Sequence, residues 1–252
     1  MKEKVNHNEI NKAWIKDLVQ NKSFQAIFLW SVILMISLSI LYSASQSNHL
    51  QKINHSNINA TSVALQPNNS TDFPIQALTR SEIVALTYMR EEEKLAKDVY
   101  EYLHNHWNLA IFARIARSET RHTERMRELL VKYNQVDPAL NSAPGVFINP
   151  KLAGLYQKLI TQGKVSTLEA LKVGALIEEV DINDLDRALT ETNKVDIINA
   201  YKNLRSGSYH HLGSFVHGIE LLGETYTAQL LNQNRVNLII HTSFIDSAIL
   251  NP

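Results

Sequence analysis

The stretch AIFARIARSETRHTERMRELLVKY, from Ala110 to Tyr133, decides the fold. Phe112, Ile115, Ala116, Met126, Leu129, Leu130 and Tyr133 recur at the spacing of one helical face, which predicts an amphipathic helix. Two polar residues stand inside that apolar stripe. Glu119 lies four residues after Ile115 and seven after Phe112, and His122 lies four before Met126 and seven before Leu129. Residues three apart share a face. Glu119 and His122 are therefore neighbours in the middle of a surface that must be buried.

Working outward, the same pattern recurs. Upstream, Thr79 and Glu82 read as a capping box that opens a helix carrying Ile83, Leu86, Met89, Ala96, Tyr100 and Leu103. The run Glu91-Glu92-Glu93 must turn at least one carboxylate inward, and the rest of it reads as a charged outer face. Glu93 fits best, four after Met89 and three before Ala96; Glu92 is the alternative, with Tyr88, Leu95 and Val99 around it. Downstream, a connection through Pro138, Pro144 and Pro150 leads to a short helix with Leu152, Leu155, Leu159 and Ile160 on one face. Ser166 and Glu169 read as a second capping box, opening a helix with Leu171, Ala175, Leu185 and Leu189; Glu178 and Asp181 sit in its stripe. A last long helix after Asn193 carries Ile197, Tyr201, Leu204, Phe215, Ile219 and Leu222, with His211 seven after Leu204 and four before Phe215. No segment from Leu78 to Leu222 alternates with period two. The expected fold is all-α: four long helices with a short extra helix in the crossover.

Four acids and two imidazoles thus fall on inward faces. Each alone reads as an ordinary satisfied core polar group; together they do not. A buried unpaired ion costs several kcal/mol, and a domain is stable by only about 5–15 kcal/mol. Protein cations to neutralise them are scarce. Arg114, Arg117 and Arg121 lie off the Glu119–His122 stripe, Arg187 and Arg205 are expected to point elsewhere, and only Arg90 is near. Two divalent ions balance four carboxylates. Oxygen and imidazole ligands suit iron first and manganese as the alternative.

These residues carry a resemblance. Glu-x-x-His on one helix and a lone inward Glu on another are the pattern of ferritin-like di-iron carboxylate bundles. The segment is most similar to the rubrerythrin branch: EEEKLAKDVYEYL (91–103) resembles its first helix, SETRH (118–122) its first Glu-x-x-His, and LKVGALIEEVD (171–181) its third helix. The stretch from about Leu78 to Tyr226 also resembles an uncharacterised ferritin-like domain family of bacteria and archaea. The resemblance implies a two-iron site held by Glu93, Glu119, His122, Glu178, Asp181 and His211, with Tyr100 as a hydrogen-bond donor behind it. One departure stands out. The family's second Glu-x-x-His has Ser208 where its acid should be, three before His211, and Asp181 is the residue able to restore the carboxylate count. His210 is expected at the surface, as are His104, His106 and His217.

Phe24 to Tyr42 contains no charged residue and as a helix spans roughly 28 Å, the thickness of a bilayer core. Lys12, Lys16 and Lys22 precede it, so the positive-inside rule places residues 1–23 in the cytoplasm and the rest outside. The competing expectation is a signal peptide cleaved near Ser45. Residues 43–77, rich in Ser, Asn and Gln, read as a flexible linker, with Asn54, Asn59, Asn68 and Asn69 each opening an N-x-[ST] triplet. The expected organisation continues with the ferritin-like bundle at 78–232 and a C-terminal tail at 233–252 lying against it.

Composition bounds the rest. With no cysteine, the chain excludes disulfides, thiolate zinc sites, iron–sulfur clusters and cysteine nucleophiles, and so lacks the iron–sulfur electron donor of rubrerythrins. A net charge of zero argues against nucleic acid as a partner. The expected partners are metal ions, dioxygen or peroxide, the bilayer through 24–42, and further copies of the chain as a homo-oligomer. Three functions fit the pattern: a di-iron oxidoreductase that oxidises iron or reduces peroxide, a metal-binding or sensing module without turnover, and a metal-free interaction bundle.

Overall fold

The computed structural model describes residues 76–250, with side chains described to residue 242. The expected cytoplasmic segment, membrane helix and glycosylation triplets, and the linker before residue 76, lie outside the described residues. The described residues form six α-helices and no strand: α1 Arg80–Trp107, α2 Ala110–Lys132, α3 Pro150–Gly163, α4 Thr167–Thr190, α5 Val195–Leu221 and α6 Gln233–Leu250. Among the described residues no helix is long and apolar enough to cross a membrane.

Local chemistry sets the boundaries. At the start of α1, Glu82 N donates to Thr79 Oγ1 (3.2 Å) and Thr79 N donates to Glu82 Oε2 (2.7 Å), satisfying two free donors at once. Asn108, with φ of 51°, ends α1 in the left-handed conformation that closes helix C-termini. Asn149 caps α3, and Pro150 occupies its first position, where the missing N–H is no loss. The expected box at α4 forms only in half. Ser166 accepts from Glu169 N (3.1 Å), but the Glu169 carboxylate turns to Gln162 (2.9 Å) and Lys172 (3.0 Å) instead of reaching back.

Only a two-residue link separates α1 from α2, so the two pack as an antiparallel hairpin; α4 and α5 pack as a second pair. The pairs meet where α1 touches α4 and α2 touches α5, and α3 lies against α1 and α4. Helix α6 lies on α5, burying Val236 and Ile239. A carboxylate holds the turn before it: fully buried Glu179 accepts from the N–H groups of Gln229, Leu230 and Leu231 (2.9, 2.7 and 2.6 Å) and from Tyr226 OH (2.5 Å).

The interior is divided. One apolar cluster gathers Ala96, Tyr100, Phe112, Ile115, Ala116, Ile177, Leu212 and Phe215. A second gathers Leu86, Met89, Met126, Leu129, Leu185, Tyr201 and Leu204. Each long helix turns polar residues inward where the two clusters meet. Glu93 follows Met89 and precedes Ala96; Glu119 and His122 lie between Ala116 and Met126. Glu178 and Asp181 lie between Ile177 and Leu185, and Ser208 and His211 between Leu204 and Leu212. A polar layer crosses the bundle at mid-height.

Candidate metal centre

Four helices deliver this layer. Glu93 from α1, Glu119 from α2 and Glu178 from α4 are each at most 2% exposed, while Asp181 and His211 are also buried and His122 reaches the edge. Glu119 is the shared member. Its Oε2 lies 2.8 Å from His122 Nδ1 and its Oε1 lies 2.7 Å from His211 Nδ1. Glu93 Oε2 is 3.3 Å from the same nitrogen of His122, and Glu178 Oε1 is 3.6 Å from that of His211. The result is two triads, Glu93–Glu119–His122 and Glu119–Glu178–His211, in each of which one ligand atom per residue lies within 4.8 Å of the others. The two imidazoles stack with centroids 5.7 Å apart.

Short distances do not make these contacts good hydrogen bonds. Glu93 Oε1, Glu119 Oε1, Asp181 Oδ1 and the Nδ1 atoms of His122 and His211 are all buried without an aligned partner. Most buried polar atoms find one, and leaving one unmatched costs about 1–3 kcal/mol. Five unmatched oxygen and nitrogen ligand atoms in one layer suit a cation better than they suit each other, and their hardness fits iron or manganese.

The remaining members orient this group. Tyr100 OH donates to Glu178 Oε1 (2.5 Å) and its ring packs on Phe215 (5.3 Å) and Phe112 (6.1 Å), which keep that side dry. The Ser208 hydroxyl hydrogen-bonds Asp181 Oδ2 and also Leu204 O (3.0 Å), leaving Asp181 Oδ1 free. Asp181 stands outside both triads but within the field of Glu93 and Glu178.

Without metal the charges are balanced by protons. Burial disfavours both imidazolium ions, but Glu93 and Glu119 together outweigh it at His122, raised to about 11, and Glu178 and Glu119 together outweigh it at His211, raised to about 10. Glu119 is pushed up by burial and pulled further down by His211 and His122, so its carboxyl sits well below the usual range. Burial raises Glu93 to about 7 against the pull of His122. Burial also raises Glu178, and it lifts Asp181 well above the carboxylate range with help from Glu93 and Glu178. The layer holds two imidazolium–carboxylate contacts and, beside them, acids that burial favours in their protonated form.

Several neighbours depart from expectation. The Glu91–Glu93 run is not an outer face, since all three are buried. Glu91 accepts from Ile148 N (2.5 Å) and Asn149 N (3.0 Å), tying the crossover to α1. Glu92, the alternative to Glu93, lies in neither triad; both its oxygens are unpartnered, and burial with Asp184 nearby raises it well above the usual range. Arg90 is not a counterion to the layer, because it grips Asp137 through Nε and Nη2, both at 3.0 Å. Arg187 pairs with Asp184 (Nη2 to Oδ1, 3.3 Å) and Arg205 with Asp186 (2.6 Å), neither of them a candidate ligand. His210, His106 and His217 are exposed, whereas His104 is half-buried with Nδ1 3.1 Å from Leu109 O.

One residue of the site escaped the sequence reading. A Cβ on Gly207 would lie 2.7 Å from His122 Cε1 and 2.8 Å from Nε2, so only glycine lets α5 approach that ring. The available signal was a glycine inside a long helix, where it costs about 1 kcal/mol relative to alanine.

Comparison with known proteins covers this same region. The chain is similar to the uncharacterized protein MJ0754 of Methanocaldococcus jannaschii, 44% identical over 173 residues, covering 69% of this chain and 94% of that protein. Among solved structures it resembles the crystal structure of hypothetical protein MJ0754 from Methanococcus jannaschii DSM 2661, with a TM-score of 0.65 and 44% identity over 68% of this chain and 98% of that one. The model of the family described as Uncharacterized protein domain (DUF2202) matches residues 82–243, a span that holds all six candidate ligands and the helices presenting them. The chain belongs to the DUF2202 family.

Proposed function

We propose that the helical domain is a ferritin-like four-helix bundle whose polar layer binds two metal ions, iron first and manganese as the alternative. The observation that carries this reading is Glu119. Its two oxygens face two different imidazole Nδ1 atoms at 2.7 and 2.8 Å, each contact completed by a further buried acid. One carboxylate serves both triads. Glu93, Glu119 and His122 would hold one ion, and Glu119, Glu178 and His211 the other. Asp181 supplies the fourth carboxylate, which keeps the loaded site neutral against two divalent ions.

A pair of ferrous ions supplies electrons for reducing dioxygen or peroxide. The chain's part is to shape where that happens. Tyr100 holds one oxygen of Glu178 in place, Ser208 holds one oxygen of Asp181, and the Tyr100–Phe112–Phe215 cluster excludes water from one side. His122, 13% exposed at its side chain, marks the edge where a small oxidant reaches the layer.

Ser208 favours a second reading. With serine in place of an acid on α5, the site is less symmetric, as suits binding or sensing without turnover. Metal analysis of the purified full chain tests both. About two equivalents of iron per chain are expected, lost when Glu119 and His122 are both replaced by alanine; no bound metal in the parent protein refutes the proposal. Anaerobic ferrous loading followed by oxygen or peroxide then separates the two, since oxidation no faster than in protein-free buffer leaves only the passive reading. We also propose that residues 24–42 anchor the domain outside the cytoplasmic membrane. Protease added to intact cells should then remove it, and protection would reverse the orientation.

A further inference from the structure

Away from the polar layer, the ends of α2, α4 and α5 line an open hollow of about 510 Å³, within the range of small-molecule sites. Its walls are apolar: Leu109 just before α2, Ile111 of α2, Leu171 of α4, Leu221 at the end of α5 and Leu222 just after it. Leu221 is 74% exposed and Leu222 50%, so the apolar surface continues out of the mouth. Among the described residues that line it, Arg114 carries the one formal charge, no acid is present, and the imidazoles of His210 and His217 stand on the same rim. Arg114 is exposed and has no ion-pair partner among the described residues. The small residues Gly213, Ser214 and Gly218 on α5 keep the floor open.

An apolar hollow with an unpaired arginine and two imidazoles at its rim selects a ligand with an apolar body and an anionic, hydrogen-bonding head. We infer that this cavity binds a single-chain amphiphile of that kind, a long-chain carboxylate, with its tail against Leu109, Ile111 and Leu171 and its head at Arg114 and His210. The site is separate from the proposed metal ligands and does not depend on them.

Photolabelling of the full chain with a diazirine-bearing palmitic acid tests this. Adducts should be saturable, competed by palmitate, and map to peptides covering 109–114 and 210–222. Loss of the charged contact at Arg114 and of the imidazole beside it means that Arg114→Gln with His210→Gln should cut labelling roughly tenfold or more. The corresponding diazirine alcohol, with the same tail and no charge, should label as weakly. Ser214→Trp, which fills the floor from a half-buried position, should abolish labelling while leaving the far-ultraviolet circular dichroism unchanged. Equal labelling by the alcohol, adducts outside these peptides, or full labelling of both variants overturns the inference. So does concentration-dependent dimerisation abolished by Ser214→Trp in the absence of saturable labelling, which would make the cavity a contact between two copies of the chain.

Discussion

Replacing Gly207 with alanine should separate metal binding from folding. The new methyl would sit 2.7 Å from His122 Cε1, and contact becomes ordinary only from 3.4 Å, so the ring must retreat by about 0.7 Å. Metal–ligand distances tolerate only about ±0.2 Å, so a ring moved that far no longer serves. Disturbing residues that merely orient ligands typically costs 10–100-fold in metal affinity; losing His122 from its triad should reach about 100-fold, or about 2.7 kcal/mol, for one ion of the two. Stability of the metal-free protein should move little. Alanine gains about 0.8–1.0 kcal/mol over glycine inside a helix, against the His122 contacts with Glu119 and Glu93 that the displaced ring loosens. At about 2–4 °C per kcal/mol for a domain of this size, the metal-free melting temperature should stay within a few degrees of the parent. The assay is a competitive ferrous or cobaltous titration of the full chain, run beside thermal melts, with His122→Ala as the reference for a lost triad. Two ions bound with parental affinity would refute the steric argument, as would a metal-free protein that no longer folds. A parent that binds no metal refutes the metal reading instead.

Other perturbations test different parts of the layer. Asp181→Ala should weaken metal binding by about 10–100-fold, and adding Ser208→Glu should recover most of it by returning a carboxylate to α5; no recovery in a titration of the double variant would show that Asp181 has another role. Glu179→Ala strips the acceptor from three N–H groups and the Tyr226 hydroxyl. It should cost about 3 kcal/mol or more and speed hydrogen exchange at 226–231, while leaving metal stoichiometry intact. The pH dependence has a defined sign. Glu93 is raised by burial from 4.5 to about 7, so the stability it lends the metal-free protein is complete below pH 4.5 and lost as pH rises through about 7. Metal binding displaces that proton and those of His122 and His211, so affinity should rise with pH over the same window; paired melts with and without metal would expose a flat or opposite trend.

Much of this architecture was legible in single helices. Helical period and caps placed α1 to α5 closely, because an amphipathic helix shows its buried face in its own spacing, and Thr79 with Glu82 is a local device. The polar interruptions at Glu119, His122, Glu178, Asp181 and His211 were visible for the same reason: each helix must bury a stripe, and a charged residue inside it stands out whatever the partners are. What only the tertiary structure decided is how those stripes meet. That Glu119 is shared by both triads, that Glu93 and not Glu92 joins it, and that Arg90 serves Asp137 all depend on the rotation and height of one helix against another. So do the burial of Glu91 under the crossover and the clamp at Glu179, whose donors come from backbone about 50 residues distant in the chain. Spacing reports which face of a helix is wet or dry. It carries no record of which atom of a neighbouring helix arrives there, because that is fixed by packing among residues far apart in sequence.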